Sequence, residues 1–257
     1  MTGVQTCALP ISGIFALGLV FVRVGAALML LPVYAEPYIP ARARLLLALM
    51  ISLVVSPVLA PSLPAMPDSA VALLLIILGE TVIGAFFGTI ARMFVASLTT
   101  AGMFIAYMSS MANALTNDPS AAQQGSIAGS FLTVIALLTI FTLNLHHLML
   151  MAVIQSYELF VPGQALPAGD FADMIARVFA QTFLLSFQLA MPFVAVGLIF
   201  MMGLGLLGRL MPQMHVFFVA MPLQIAIGMA VLALTLPALV RWFITAFEGA
   251  YVPFIAL

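Results

Sequence analysis

The chain has 257 residues, of which 65% are hydrophobic and only 6% charged, with a formal net charge of −1 and a mean hydropathy of +1.28. A soluble domain carries about 25% charged residues, so this composition excludes a water-exposed globule and identifies an integral membrane protein. The seven basic residues are all arginines and form no basic patch, which argues against nucleic acid, and the single cysteine excludes an internal disulfide framework and a thiolate metal site. Twenty Phe, 18 Met and 18 Gly suit a bundle of closely packed helices.

The opening stretch, MTGVQTCALPIS, does not resemble the rest of the chain. It lacks a positive n-region and its apolar part is too short for a secretory signal. The codons ACT GGA GTT CAG ACG TGT GCT CTT CCG ATC translate as TGVQTCALPI, a string that resembles a common short-read sequencing adapter. Residues 1–12, including Cys7, are therefore expected to be non-native, and 13–257 to form a single membrane-embedded domain.

A hydrocarbon core about 30 Å thick takes about 20 apolar residues in helix. Six stretches predict an all-α, polytopic membrane protein of helical hairpins: 13–34, 45–60, 70–91, 127–150, 178–207 and 216–240. A seventh, 93–108, is short; it is a re-entrant segment, a hairpin or a continuation of the third helix. The apolar tail 243–257 is expected to pack on the bundle. Arg42, Arg44, Arg92 and Arg209 fall in connections that six spans would place in the cytoplasm, with the N-terminus outside. Arg241 does not fit that orientation. Pro32, Pro57, Pro192, Pro222 and Pro237 interrupt the apolar stretches, and proline kinks or breaks a helix. Freed backbone groups survive at membrane depth only inside protein or against a wet cavity, which suggests bent hairpins in a larger assembly.

Glu80 lies near the middle of the third span. A carboxylate at that depth marks a proton relay or a buried pair. Gly84 and Gly88 follow it in GAFFG, a GxxxG spacing that lets helices approach closely, and GSIAG (125–129) repeats the pattern. The balance favours a packing role for Glu80. His146 and His147 are adjacent in NLHHL, whereas a helical metal site wants histidines at i and i+4; interfacial hydrogen bonding suits them better. No nucleophile constellation, P-loop or dinucleotide glycine fingerprint occurs, so no catalytic residue, cofactor site or metal site is assigned and the chain is not expected to be an enzyme. The polar run SSMANALTNDPSAAQQGS (109–126) reads equally as an ordinary loop or as a pore-lining segment with soft methionines.

Four pieces then carry a resemblance. RVGAALMLLPVYAEPYIPARARLLLALMISLVVSP (23–57), GETVIGAFFGTIARMF (79–94), NLHHLMLMAVIQSYELFVPG (144–163) and GLLGRLMPQMHVFFVAMPLQI (205–225) together resemble the FliR family of flagellar export-gate proteins and their injectisome counterparts. The resemblance runs from about Gly13 to the C-terminus and departs at the adapter-like opening. It implies a core subunit of the flagellar type III export gate at the basal body in the bacterial inner membrane. It also implies FliP-like and FliQ-like partner subunits, neighbouring FlhB-like and FlhA-like proteins, and unfolded protein as cargo. In such a subunit a loop helps plug the closed channel, which by position is 109–124 here. The plug candidates are Ser109, Ser110, Met111, Asn113, Asn117, Asp118, Pro119, Gln123 and Gln124. Arg209, Pro212 and Gln213 form an assembly or hinge segment, and Glu80, Gly84, Gly88, His146 and His147 are packing candidates. The same role in a virulence injectisome is the nearest alternative. A secondary transporter with Glu80 at its substrate or proton site is the rival from another class.

Overall fold

The structure, a computed structural model, describes residues 5–111, 126–164, 167–210 and 216–255. Among these it has seven α-helices: α1 (Gln5–Leu30), α2 (Ala41–Leu59), α3 (Ala70–Met108), α4 (Ile127–Thr142), α5 (Leu145–Leu159), α6 (Ala168–Leu210) and α7 (Val216–Tyr251). Five are long and apolar enough to cross a membrane, six if the broken α4–α5 pair counts as one span. The molecule is thus an all-α polytopic membrane protein.

Chain contacts gather into two units. One holds Met1–Arg92, Phe141–Val178 and Glu248–Leu257; the other holds Met93–Ile140 and Phe179–Phe247. In the first unit α1 packs along α2, and the core is built from Leu19, Val20, Val24 and Leu28 of α1, Phe87 and Ile90 of α3, and Met149 and Val153 of α5. Tyr251 and Phe254 close this core. The Tyr251 hydroxyl donates to the Phe87 carbonyl at 2.9 Å, and the Phe254 ring stands edge-on to Phe87 at 4.9 Å. In the second unit Phe94 and Ile105 of α3, Leu132 and Ile140 of α4, Leu189 of α6 and Phe243 of α7 are buried.

One open alternative is resolved, and two features depart from the sequence expectation. The segment 93–108 continues the third helix, so α3 runs 39 residues; Arg92 rides on its exposed surface instead of ending it. The stretch 127–150 is not one straight span. It breaks at 143–144, where Asn144 takes a left-handed backbone (φ 59°, ψ 19°) that asparagine tolerates better than most residues. Finally, Pro57, Pro192, Pro222 and Pro237 lie inside helices that continue past them, and only Pro32 follows a helix end.

Candidate functional site

In the first unit the third helix meets α1 through its glycines. A Cβ at Gly84 would overlap the Arg23 carbonyl, and one at Gly88 would overlap the Leu30 side chain. Glu80, Gly84 and Gly88 recur every four residues, so they share one face of α3. Close approach at the glycines brings Glu80 against Arg23. The guanidinium binds the carboxylate side-on, with Nε donating to Oε2 at 2.6 Å and Nη2 donating to Oε1 at 2.9 Å. Arg23 and Glu80 side chains are 0% and 1% exposed.

The remaining donors of Arg23 reach the end of α5. Nη1 donates to the Ser156 hydroxyl at 3.0 Å and Nη2 donates to the Phe160 carbonyl at 2.9 Å. The guanidinium carbon lies 3.7 Å from the centre of the Tyr157 ring, a cation–π contact between two buried side chains. One arginine therefore ties α1, α3 and α5 together. Both oxygens of Glu80 are engaged, so this carboxylate is one half of a buried ion pair and not a free acid. An open cleft of about 630 Å³ adjoins the pair, lined in part by Glu80, Ile83, Phe160, Gly163, Gln164 and Asp170. Gly163, at φ +86°, supplies the left-handed turn on its wall.

In the second unit the end of α3 carries the first plug candidates. Ser109 is buried, and Ser110 and Met111 are half-buried. Gln224 of α7, also buried, donates from Nε2 to the Met108 carbonyl at 2.6 Å and accepts at Oε1 from the Ser110 hydroxyl at 2.8 Å. The start of α4 is fixed as well: the Ser126 hydroxyl accepts from the Gly129 amide at 2.9 Å, an N-terminal cap. A Cβ on Gly102 would overlap the backbone of Gly129, so α3 and α4 touch backbone to backbone there.

The structure thus brings Glu80, Gly84 and Gly88 together with a partner, Arg23, that sequence reasoning missed. The signal was present, since an arginine inside the first apolar span invites an opposite charge on another. Ser156 and Gln224 were missed too; Gln224 is a lone amide in an apolar run. His146 stacks on Phe141 at 4.5 Å with planes 9° apart, and the His147 ring lies 4.1 Å from it. Arg209 is exposed in the last turn of α6. Asn113, Asn117, Asp118, Pro119, Gln123, Gln124, Pro212 and Gln213 lie outside the described residues.

Long apolar helices, a buried intramembrane ion pair and glycine notches between helices define a polytopic membrane protein of close-packed hairpins. Residues 14–250 match the family of bacterial export proteins, family 1. Two flagellar biosynthetic proteins FliR are similar: that of Caulobacter vibrioides is 35% identical, over 87% of this chain and 89% of the relative, and that of Bacillus subtilis is 32% identical, over 83% of each. Yop proteins translocation protein T of Yersinia pestis is 27% identical over 66% of each chain. The chain belongs to this export-protein family, the FliR family.

Proposed function

We propose that this protein is a core subunit of the flagellar type III protein export gate, helping to form the channel through which unfolded flagellar proteins cross the inner membrane at the basal body. The observation that carries the reading is the family match along nearly the whole chain, with the two flagellar relatives more similar to it than the Yersinia protein. Its partners are FliP-like and FliQ-like subunits, beside FlhB-like and FlhA-like proteins, and its role is structural, not catalytic. Helix length supports burial against other subunits. At 1.5 Å per residue, the 39 residues of α3 and 43 of α6 extend about 58 and 64 Å, twice the hydrocarbon thickness of about 30 Å. Apolar side chains remain exposed far along α6, from Phe179 to Leu210. Lipid alone does not match such a length.

The Yersinia relative motivates one second reading, the same role in an injectisome. The transporter reading loses its main support, because the Glu80 charge is taken up by Arg23. The polar connection 109–124 acts as the channel plug in this proposal. In this proposal residues 1–12 are translated adapter, and a peptide containing Cys7 from native cells would overturn that assignment. Co-expression with FliP-like and FliQ-like subunits tests the whole reading. A stable co-purifying complex is expected, and in vesicles bearing it, deletion within the connection should raise small-solute permeability. Failure to associate would sink the gate assignment, and unchanged permeability the plug.

A further inference from the structure

We propose that Gln224 is a positioning residue: its amide caps the C-terminal end of α3 and fixes how the chain leaves the helix at Ser110. The last carbonyls of a helix have no partner within it, and in apolar surroundings an unpaired carbonyl is costly. Gln224 supplies the missing donor to Met108. The same amide accepts from Ser110, which stands in the left-handed region at φ 56°, a conformation that non-glycine residues seldom hold without outside support. One neutral side chain, with one donor and one acceptor used together, therefore braces both sides of the turn.

The helices are shaped to receive that end. Gly228, one turn beyond Gln224 on α7, leaves room for Ser109, whose Cβ a substituent there would overlap; Gly197 of α6 faces Met108. The free space beside the amide is about 10 Å³, no more than one water needs. Phe193, Val196 and Phe200 of α6 and Ile227 and Val231 of α7 complete its walls with Met108 and Ser109 at the end of α3, and among the described residues none of these is titratable or charged. Among the described residues the cap is neutral and is held by two hydrogen bonds.

The functional consequence, that this cap sets the root of the plug, rests on the export-gate reading; the geometry does not. The test uses the full chain, alone and with its co-expressed partners, in detergent. Cys7 is replaced by serine and M111C supplies a reporter thiol just past the turn. Its labelling by a soluble maleimide is compared with the Gln224 parent at each pH. In Q224M, which keeps length but loses both bonds, labelling should rise about tenfold. Q224E separates positioning from mere packing. A protonated carboxyl donates and accepts as the amide does, whereas a carboxylate cannot donate to Met108. The Q224E labelling ratio should therefore stay near one at acid pH and climb toward the Q224M level at alkaline pH. A pH-independent Q224E ratio overturns the proposal, and so does unchanged labelling in Q224M. Should Q224M fail to accumulate, the Q224E series decides alone. Partner association with a flat ratio rejects the cap and spares the gate; a pH-dependent ratio without association does the reverse.

Discussion

Both units pack helices at glycine notches, and they differ in the polar group that joins those helices. In the first, a full charge pair joins α1 to α3, and one guanidinium reaches α5 as well. In the second, the polar link is a neutral amide. The contrast indicates which join costs more to open. Splitting a buried ion pair strands a charge and costs several kcal/mol. Releasing a neutral amide loses about 1 kcal/mol per hydrogen bond, which thermal motion supplies readily. The charged join is therefore the costlier of the two to open.

The most damaging substitution breaks the first join on one side only. Glu80→Gln leaves Arg23 charged, buried and without its counter-ion. We expect a loss of about 3–5 kcal/mol, seen as a fall of about 10 °C in the thermal midpoint of the purified protein. The double substitution Arg23→Met with Glu80→Leu removes both charges and should recover most of that loss. A double variant as unstable as Glu80→Gln would mean that the bonds to Ser156 and Phe160, and not charge balance, dominate the join.

How much of this was legible in the sequence depended on whether a residue was anomalous within its own segment. Glu80 and the glycines after it stand out in an apolar helix, so their packing role was readable. Arg23 stands out equally, yet its meaning lies in a partner 57 positions away. Ser156 and the Phe160 carbonyl, 133 and 137 positions away, are ordinary in their local context, and nothing short of the fold selects them. The helices themselves followed hydropathy well. Their ends did not, for two reasons. Arg92 reads as a boundary, but one long charged side chain on a helix surface costs too little to end a 39-residue apolar run. The break at Asn144 has no proline or glycine to announce it. It is made by a residue that merely tolerates the left-handed turn.

A more moderate loss is expected at the glycine notches, which both units use. A methyl group at Gly84 must push against the backbone oxygen of Arg23, with no flexible side chain to yield. Gly84→Ala should cost about 1–3 kcal/mol and should loosen the ion pair by parting the two helices. Gly203 is the control, since a Cβ there meets nothing within 4 Å. Gly203→Ala should be neutral or stabilise by up to about 1 kcal/mol through helix propensity. If the two alanine variants melted together, the notch would not be what brings Glu80 to Arg23, and the first join would rest on the ion pair alone.

The subtlest change asks how dry the charged join is. The Tyr157 ring lies against Arg23, but among the described residues nothing hydrogen-bonds to its buried hydroxyl. Tyr157→Phe keeps the ring and removes an unpaired polar atom, so stability should hold or rise slightly. Tyr157→Leu loses the ring face and should cost about 2 kcal/mol beyond any packing change, the upper range for a desolvated cation–π pair. Thermal melts of the two variants separate the hydroxyl from the face. A clear loss in Tyr157→Phe would reveal a partner for the hydroxyl, a water or another subunit. The charged join would then be wet or shared, and the contrast between the charged and the neutral join would narrow accordingly.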